Sequence, residues 1–288
     1  MYIVFSEKCL EYWELGHPES PERVYNVYRL LREKDFKFIS AEPCAEEDLL
    51  LVHKRDFIEK IKNGAFYDSD TANLPGMYEY ARLSAGAAIK SMRLALNGEK
   101  AFSLMRPPGH HAGINGRALG APSLGFCYFN NIAIACKKAL SEVKKVAIID
   151  IDCHHGNGTQ EIFFKEPRVL YVSLHRHGVY PGTGGTSEGN CLNYPLRSHV
   201  GESEYLETLK SALKKVKQFN PSLTAVSAGF DTHKRDPVCG LGLSEEVYSV
   251  IGMLIARLKR KIFVVLEGGY GQEMPKCVYN FLQGIEHL

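Results

Sequence analysis

Short apolar runs alternate with amphipathic stretches along most of this chain. The runs are Tyr2–Phe5, Ala101–Met105, Val146–Ile149, Val169–Leu174, Leu223–Ser227 and Ile262–Leu266. Continuous apolar runs of this length fit strands buried on both faces. Helices are predicted between them. One starts near Glu19–Val24, with Ser20 as cap and Pro21 at the first helical position. Others cover Ala45–Leu51, Arg55–Ile61, the alanine-rich Tyr78–Leu96, Asn130–Leu140, the stretch through Glu161–Phe164, Ser203–Phe219 and Ser244–Leu258. In the last, Ser244 reads as the cap, with Glu245 and Glu246 in the first turn. A final helix follows Tyr270. Strand and helix in alternation predict an α/β fold with a mostly parallel sheet covered on both faces. No linker or repeat divides the chain, so residues 1–288 read as one domain.

The polar residues that interrupt this pattern are unevenly placed. Several predicted strands run into residues that no core needs. After Ala101–Met105 come Arg106-Pro107-Pro108-Gly109 and the adjacent His110 and His111; after Val146–Ile149 come Asp150, Asp152, His154 and His155. Asp231 follows Leu223–Ser227, and Tyr270 follows Ile262–Leu266. The carboxyl ends of parallel strands lie on one edge, where open α/β sheets bind ligands. These residues should therefore converge.

Composition narrows the class. Of 288 residues, 45% are hydrophobic, and 35 Lys plus Arg nearly balance 33 Asp plus Glu, which argues against a broad nucleic-acid face. The eight cysteines form no CxxC pair, so free thiols in a reducing cytoplasm are expected. The amino terminus lacks a long apolar segment, and no run is long enough to span a membrane. The Gly-Thr-Gly-Gly stretch at 182–185 lacks the spacing of a phosphate loop.

Asp152, His154 and Asp231 offer one imidazole and two carboxylates, the donor set of a catalytic metal with an open position. His110 and His111 can divide the roles of general base and acid near neutral pH, and Asp150 can orient one imidazole. Tyr270, in a glycine turn, can donate to a developing oxyanion. Phe126 and Tyr180 are candidate walls of a narrow slot, although Phe126 taken alone reads sooner as core packing. Lone His53 reads as structural. Together these groups describe hydrolysis of an amide or ester.

Seven motifs in order, RPPGHH, GFCYFNN, DIDCHHGNGTQ, VSLHR, PGTG, AGFDTHKRDP and EGGY, resemble the histone deacetylase superfamily, which includes acetylpolyamine amidohydrolases and acetoin-utilization proteins. The likeness runs from about His17 to Tyr270. It implies an arginase-like fold with an eight-stranded sheet, and zinc (or Fe2+ in its place) on Asp152, His154 and Asp231. It also implies His110 and His111 as catalytic histidines supported by Asp150 and Asn157, with Tyr270 polarising the carbonyl. Asn157 gives the chain a class II-like character. A structural K+ is implied at Asp150, Asp152, His154, Ser173 and Leu174. Gly125, Phe126 and Tyr180 match the acyl-lysine tunnel, and Arg23 matches an arginine of an internal acetate channel.

Two departures bear on the substrate. The loop INGRALGAPSL after His111 is longer than in typical lysine deacetylases and lies beside the expected mouth. Val238 stands where a polyamine-selective relative has an acidic residue, which leaves Asp68 or Asp70 as the rim carboxylate. The expected partner is an acetylated lysine peptide or protein, or an acetylated small amine, with no nucleic acid or membrane. A zinc-dependent deacetylase is the leading expectation, an acetylpolyamine amidohydrolase the alternative, and a non-catalytic acyl-ligand binding module the remote one. Gly156, two residues after His154, argues against a two-manganese ureohydrolase, which needs a carboxylate there.

Overall fold

The computed structural model describes residues 1–258 and 261–287. Its strands, in chain order, are β1 Tyr2–Phe5, β2 Lys37–Ser40, β3 Ala101–Ser103, β4 Ala112–Gly113, β5 Gly116–Arg117, β6 Val146–Asp150, β7 Val169–Arg176, β8 Cys191–Leu196, β9 Leu223–Ala228 and β10 Lys261–Leu266. Eight of them form one sheet in the order β2-β1-β3-β10-β9-β6-β7-β8, parallel at every pairing. The antiparallel pair β4–β5 stands apart, within the long loop after His111.

The central strands explain the apolar runs. Along β6, Ala147 and Ile149 enter one hydrophobic cluster, whereas Val146 and Ile148 enter the other, on the opposite face. Along β10, Val264 and Leu266 face the first cluster, Phe263 and Val265 the second. With helices covering both faces, neither set of alternate positions meets water. The sequence pattern does not reveal β2 and β8, and both are edge strands. The ends of β2 are exposed and its middle half-buried, and β8 contains Pro195. Edge strands carry fewer apolar residues and tolerate proline.

The helix Pro21–Glu33 begins as expected, with Ser20 extended before Pro21, though the Ser20 side chain makes no cap hydrogen bond. The helix predicted from Ser244 begins only at Val247. Ser244 N–H donates instead to Glu202 Oε1 (2.8 Å), and Leu243 bridges His233. Tertiary contacts thus hold residues 243–244 extended. Cys153 and Cys239 form a disulfide with Cα atoms 6.3 Å apart, which corrects the expectation that all eight cysteines are free thiols. The other six are free and buried. Among the described residues, no helix is long and apolar enough to cross a membrane.

The strand order sets the site. From β3 the chain passes to β6 and leaves room for two strands, which β10 and β9 later fill. The four neighbours β3, β10, β9 and β6 are the strands that lead into His110, Tyr270, Asp231 and Asp152. Four remote sequence segments therefore meet at one edge, at a switch in strand order.

Candidate active site

Asp152, His154 and Asp231 are buried, and one ligand atom from each lies within 4.8 Å of the others. His154 Nδ1 is 3.1 Å from Asp152 Oδ1 and 2.9 Å from Asp231 Oδ2. Backbone donors fix the carboxylates: Cys153 N–H to Asp231 Oδ1, His154 N–H to Asp152 Oδ1 and Gly268 N–H to Asp152 Oδ2, each 2.8 Å. Asp231 Oδ2 is buried with no aligned donor. Burial raises Asp231 to about 7, and the Asp152 charge adds to this. Burial alone would lower His154, but the Asp152 and Asp231 carboxylates beside its ring hold it up, at about 10. An unpaired carboxylate oxygen, a second carboxylate and an imidazole nitrogen aimed at one point fit a divalent cation.

The tandem histidines sit on a turn just beyond β3 and have unlike partners. His110 Nδ1 lies 3.1 Å from Asp150 Oδ2, which also accepts Tyr171 O–H at 3.0 Å. Burial depresses His110, yet the Asp150 and Asp152 charges outweigh it and raise the imidazole to about 10. His111 Nδ1 lies 2.8 Å from Asn157 Oδ1. Burial and the neighbouring charges of His110 and His154 pull His111 well below its ordinary value. Their surroundings therefore push the two imidazoles in opposite directions, His110 toward the cationic form and His111 toward the neutral one.

His111, His154 and Tyr270 line a cavity of about 240 Å³ with Asp70, Gly125, Phe126, Val179, Tyr180 and Val238. The Tyr180 ring meets His111 edge-on at 4.8 Å, and its hydroxyl donates to Ser123 O at 3.0 Å. The Phe126 ring meets Tyr270 edge-on at 5.8 Å. Gly125 has φ +56°, and a Cβ there would fall 2.5 Å from His111 Cδ2 and 2.7 Å from the Tyr180 hydroxyl. Only glycine lets the wall pass this close. Arg23 is buried. Its guanidinium lies 4.4 Å from the Tyr270 ring centre and donates to Gly269 O (2.6 Å) and Glu267 O (2.7 Å).

Asp68 does not line this cavity. It accepts Leu124 N–H at 3.2 Å and pairs with Arg117 at 3.0 Å. Asp70 does line it, but its oxygens already accept from Ser123 Oγ, Thr71 Oγ1 and Gly125 N–H. Thr71 Oγ1 in turn accepts Phe126 N–H at 2.9 Å. The polar segment Asp68–Thr71 thus holds Ser123–Phe126, the stretch that forms one wall. The long loop after His111 packs beside the site. Glu161 accepts Ile114 N–H, and Asn157 Nδ2 donates to Ala118 O at 2.9 Å. Val238 sits at the mouth, partly exposed. Ser173 stands beside Asp150 across β6 and β7, followed by Leu174. His53 is structural, as its sequence context indicated: Nδ1 reaches Gly113 O at 2.8 Å and Nε2 accepts Asn130 N–H at 2.9 Å.

Two carboxylates, the half-buried Asp236 and the buried Glu267, were not singled out from sequence. Asp236 accepts Tyr270 N–H (2.7 Å) and Gly271 N–H (3.1 Å) on one oxygen and Val238 N–H (2.9 Å) on the other. Glu267 accepts from the tandem-histidine turn. Each lies inside a motif already quoted, AGFDTHKRDP and EGGY, and an acidic residue in a glycine- or proline-rich turn was the available signal.

Comparison with known proteins gives the chain's family. A histone deacetylase domain model matches residues 17–285. A probable deacetylase of Archaeoglobus fulgidus is 37% identical over 94% of this chain and 81% of its own length. A histone deacetylase-like amidohydrolase of Pseudomonas aeruginosa is 36% identical over 91% and 75%. An acetylpolyamine amidohydrolase of Mycoplana ramosa is 39% identical over 75% and 66%. Among solved structures, the HDA15 HD domain superposes with a TM-score of 0.91 at 31% identity, covering 100% of this chain and 91% of its own. An acetylpolyamine aminohydrolase from Burkholderia pseudomallei superposes with a TM-score of 0.86 at 25% identity, covering 100% and 99%. With its eight-stranded parallel sheet and the clustered Asp152, His154 and Asp231, the chain belongs to the histone deacetylase family.

Proposed function

We propose that the chain is a zinc-dependent deacetylase that removes acetyl or related acyl groups from N-acetyl-lysine side chains or similar acylated amines, with residues 1–288 as one catalytic domain. The observation that carries this reading is the pair of adjacent imidazoles with unlike partners beside a three-residue ligand cluster. When bound at Asp152, His154 and Asp231, zinc or Fe2+ would supply Lewis acidity and a water of lowered pKa. Asn157 Nδ2 donates to Ala118 O, so its Oδ1 faces His111. His111 Nδ1 then carries the hydrogen, and Nε2 is left free to take a proton from water and return it to the leaving amine. Asp150, 3.1 Å from His110 Nδ1, pushes this imidazole toward its cationic form, which would add positive charge beside the reacting centre. Tyr270 would donate to the carbonyl oxygen as negative charge develops there. The position of Ser173 beside Asp150 supports a structural K+ at Asp150, Asp152, His154, Ser173 and Leu174.

The lining of the cavity favours an acyl-lysine over an acetylpolyamine. Asp70 is the acidic residue of that lining outside the ligand cluster, and its oxygens are taken up by the wall; Val238 adds no charge. The test compares kcat/KM of zinc-loaded protein on an acetyl-lysine peptide, acetylputrescine and acetylspermidine. Chelation and the His111→Ala variant serve as controls. Preference for the peptide, lost on chelation, is the expected result. Preference for the polyamines would select the alternative, and no metal-dependent turnover on any acyl amine would favour a binding module.

A further inference from the structure

Glu267 is completely buried, and the chemistry above does not use it. A carboxylate is kept in an interior only where donors surround it. Its donors are specific. Oε2 accepts Gly109 N–H at 2.8 Å and His110 N–H at 3.1 Å, and Oε1 accepts Ser227 O–H at 3.0 Å. The first two belong to the turn that carries His110 and His111. The other side of that turn is closed by packing: a Cβ at Gly109 would lie 2.5 Å from Phe129 O and 2.6 Å from Asn131 N. Its carbonyl side is held by Thr159 N–H, which donates to His110 O at 3.0 Å. Glu267 supplies the hold on the amide side.

The backbone of Glu267 begins the other catalytic turn. Arg23 donates to Glu267 O and Gly269 O, Gly268 N–H reaches the ligand carboxylate of Asp152, and Tyr270 N–H reaches Asp236. One residue therefore joins the histidine turn through its side chain to the tyrosine turn through its main chain. We propose that Glu267 is a positioning residue that locks these two turns in register, so that His111 and Tyr270 address the same carbonyl. The proposal rests on the reading of the site as an amide hydrolase.

The test uses zinc-loaded full-length Glu267→Gln, Glu267→Ala and Glu267→Asp. The Gln amide oxygen can accept both N–H groups while its NH2 meets Ser227 Oγ, so the join survives without the charge. The Ala variant removes the join, and the Asp variant keeps charge but shortens the reach. Misplacing a catalytic group by about 1 Å costs on the order of a hundredfold. The expected result is a fall in kcat of about tenfold to a hundredfold for Ala and Asp at nearly unchanged KM and zinc content. Gln should stay within about threefold of the parent, as expected when geometry is preserved. Should Ala not fold, the Asp and Gln pair decides alone. Amide hydrogen exchange over residues 106–112 gives a readout independent of turnover: protection of Gly109 and His110 should drop in Ala and Asp and persist in Gln. If the parent proved inactive on every acyl amine, the function reading would fall, while this exchange pattern would still support the join. Parent-like kcat and exchange in Asp, or a Gln variant as impaired as Asp, would overturn the proposal.

Discussion

Asn157 Oδ1 lies 2.8 Å from His111 Nδ1, and the amide is turned that way because its Nδ2 donates to Ala118 O, in the long loop. A neutral amide thus stands behind the second histidine, whereas a carboxylate stands behind the first. The loop sets the orientation of a side chain that touches the His111 imidazole.

Asn157→Asp should move the pH dependence. A carboxylate beside His111 would raise the pKa of its imidazole, and a general base works only when unprotonated. The acidic limb of kcat/KM should therefore shift to higher pH, by about one unit or more. A pH–rate profile of parent and variant checks this, and superimposable acidic limbs would contradict it.

Gly125→Ala places a methyl group against His111 and the Tyr180 hydroxyl at a positive φ. The expected outcome is a loss of at least about tenfold in kcat/KM, since small displacements of reacting groups have effects of this size or larger. Circular dichroism should show the parent fold, because the change is confined to the cavity wall.

His53 should make the fold sensitive to acid. Burial lowers its pKa to about 4. Its two ring nitrogens are committed, one donating to Gly113 O and one accepting Asn130 N–H, and a second proton would break the latter. Between an unfolded value of about 6.5 and the folded value, the unfolded chain binds a proton that the folded chain refuses. Stability should fall as pH drops through that window, by up to about 3 kcal/mol from this residue. Denaturant unfolding of parent and His53→Gln between pH 7 and pH 4 measures it; the slope should be smaller in the variant.

Thiol titration tests the cysteine pairing. Denatured without reductant, the chain should show six reactive thiols, and after reduction eight. Cys239→Ser should leave Cys153 as an additional free thiol. Eight thiols without reductant would mean that the disulfide between the ligand segment and the Val238 loop does not form in solution.

The residues at the strand ends were legible from sequence because chemistry marks them. Asp152, His154, Asp231, His110 and His111 are costly in a core and have no role in a solvated loop at such positions. The central strands were legible because burial on both faces leaves an unbroken apolar run, as in Val146–Ile149. The edge strands β2 and β8 were not, since half-buried edges dilute that signal. Nor was the start at Val247, where a hydrogen bond from Ser244 to Glu202 overrides local helix propensity.

Sequence by itself determined the fold class, the family likeness and the candidate groups for chemistry, because hydrophobic period and side-chain type are local properties. Tertiary structure decided what each group does with its neighbours. The sequence made Asp68 and Asp70 candidate rim carboxylates, but their oxygens hold the backbone of Ser123–Phe126. The family likeness matched Arg23 to an internal channel, and the structure places its guanidinium against the Tyr270 ring. Cys153 and Cys239, 86 residues apart in sequence, meet beside the ligand cluster. These outcomes depend on distances between segments remote in sequence, and the packing of strands and loops around β3, β10, β9 and β6 sets those distances.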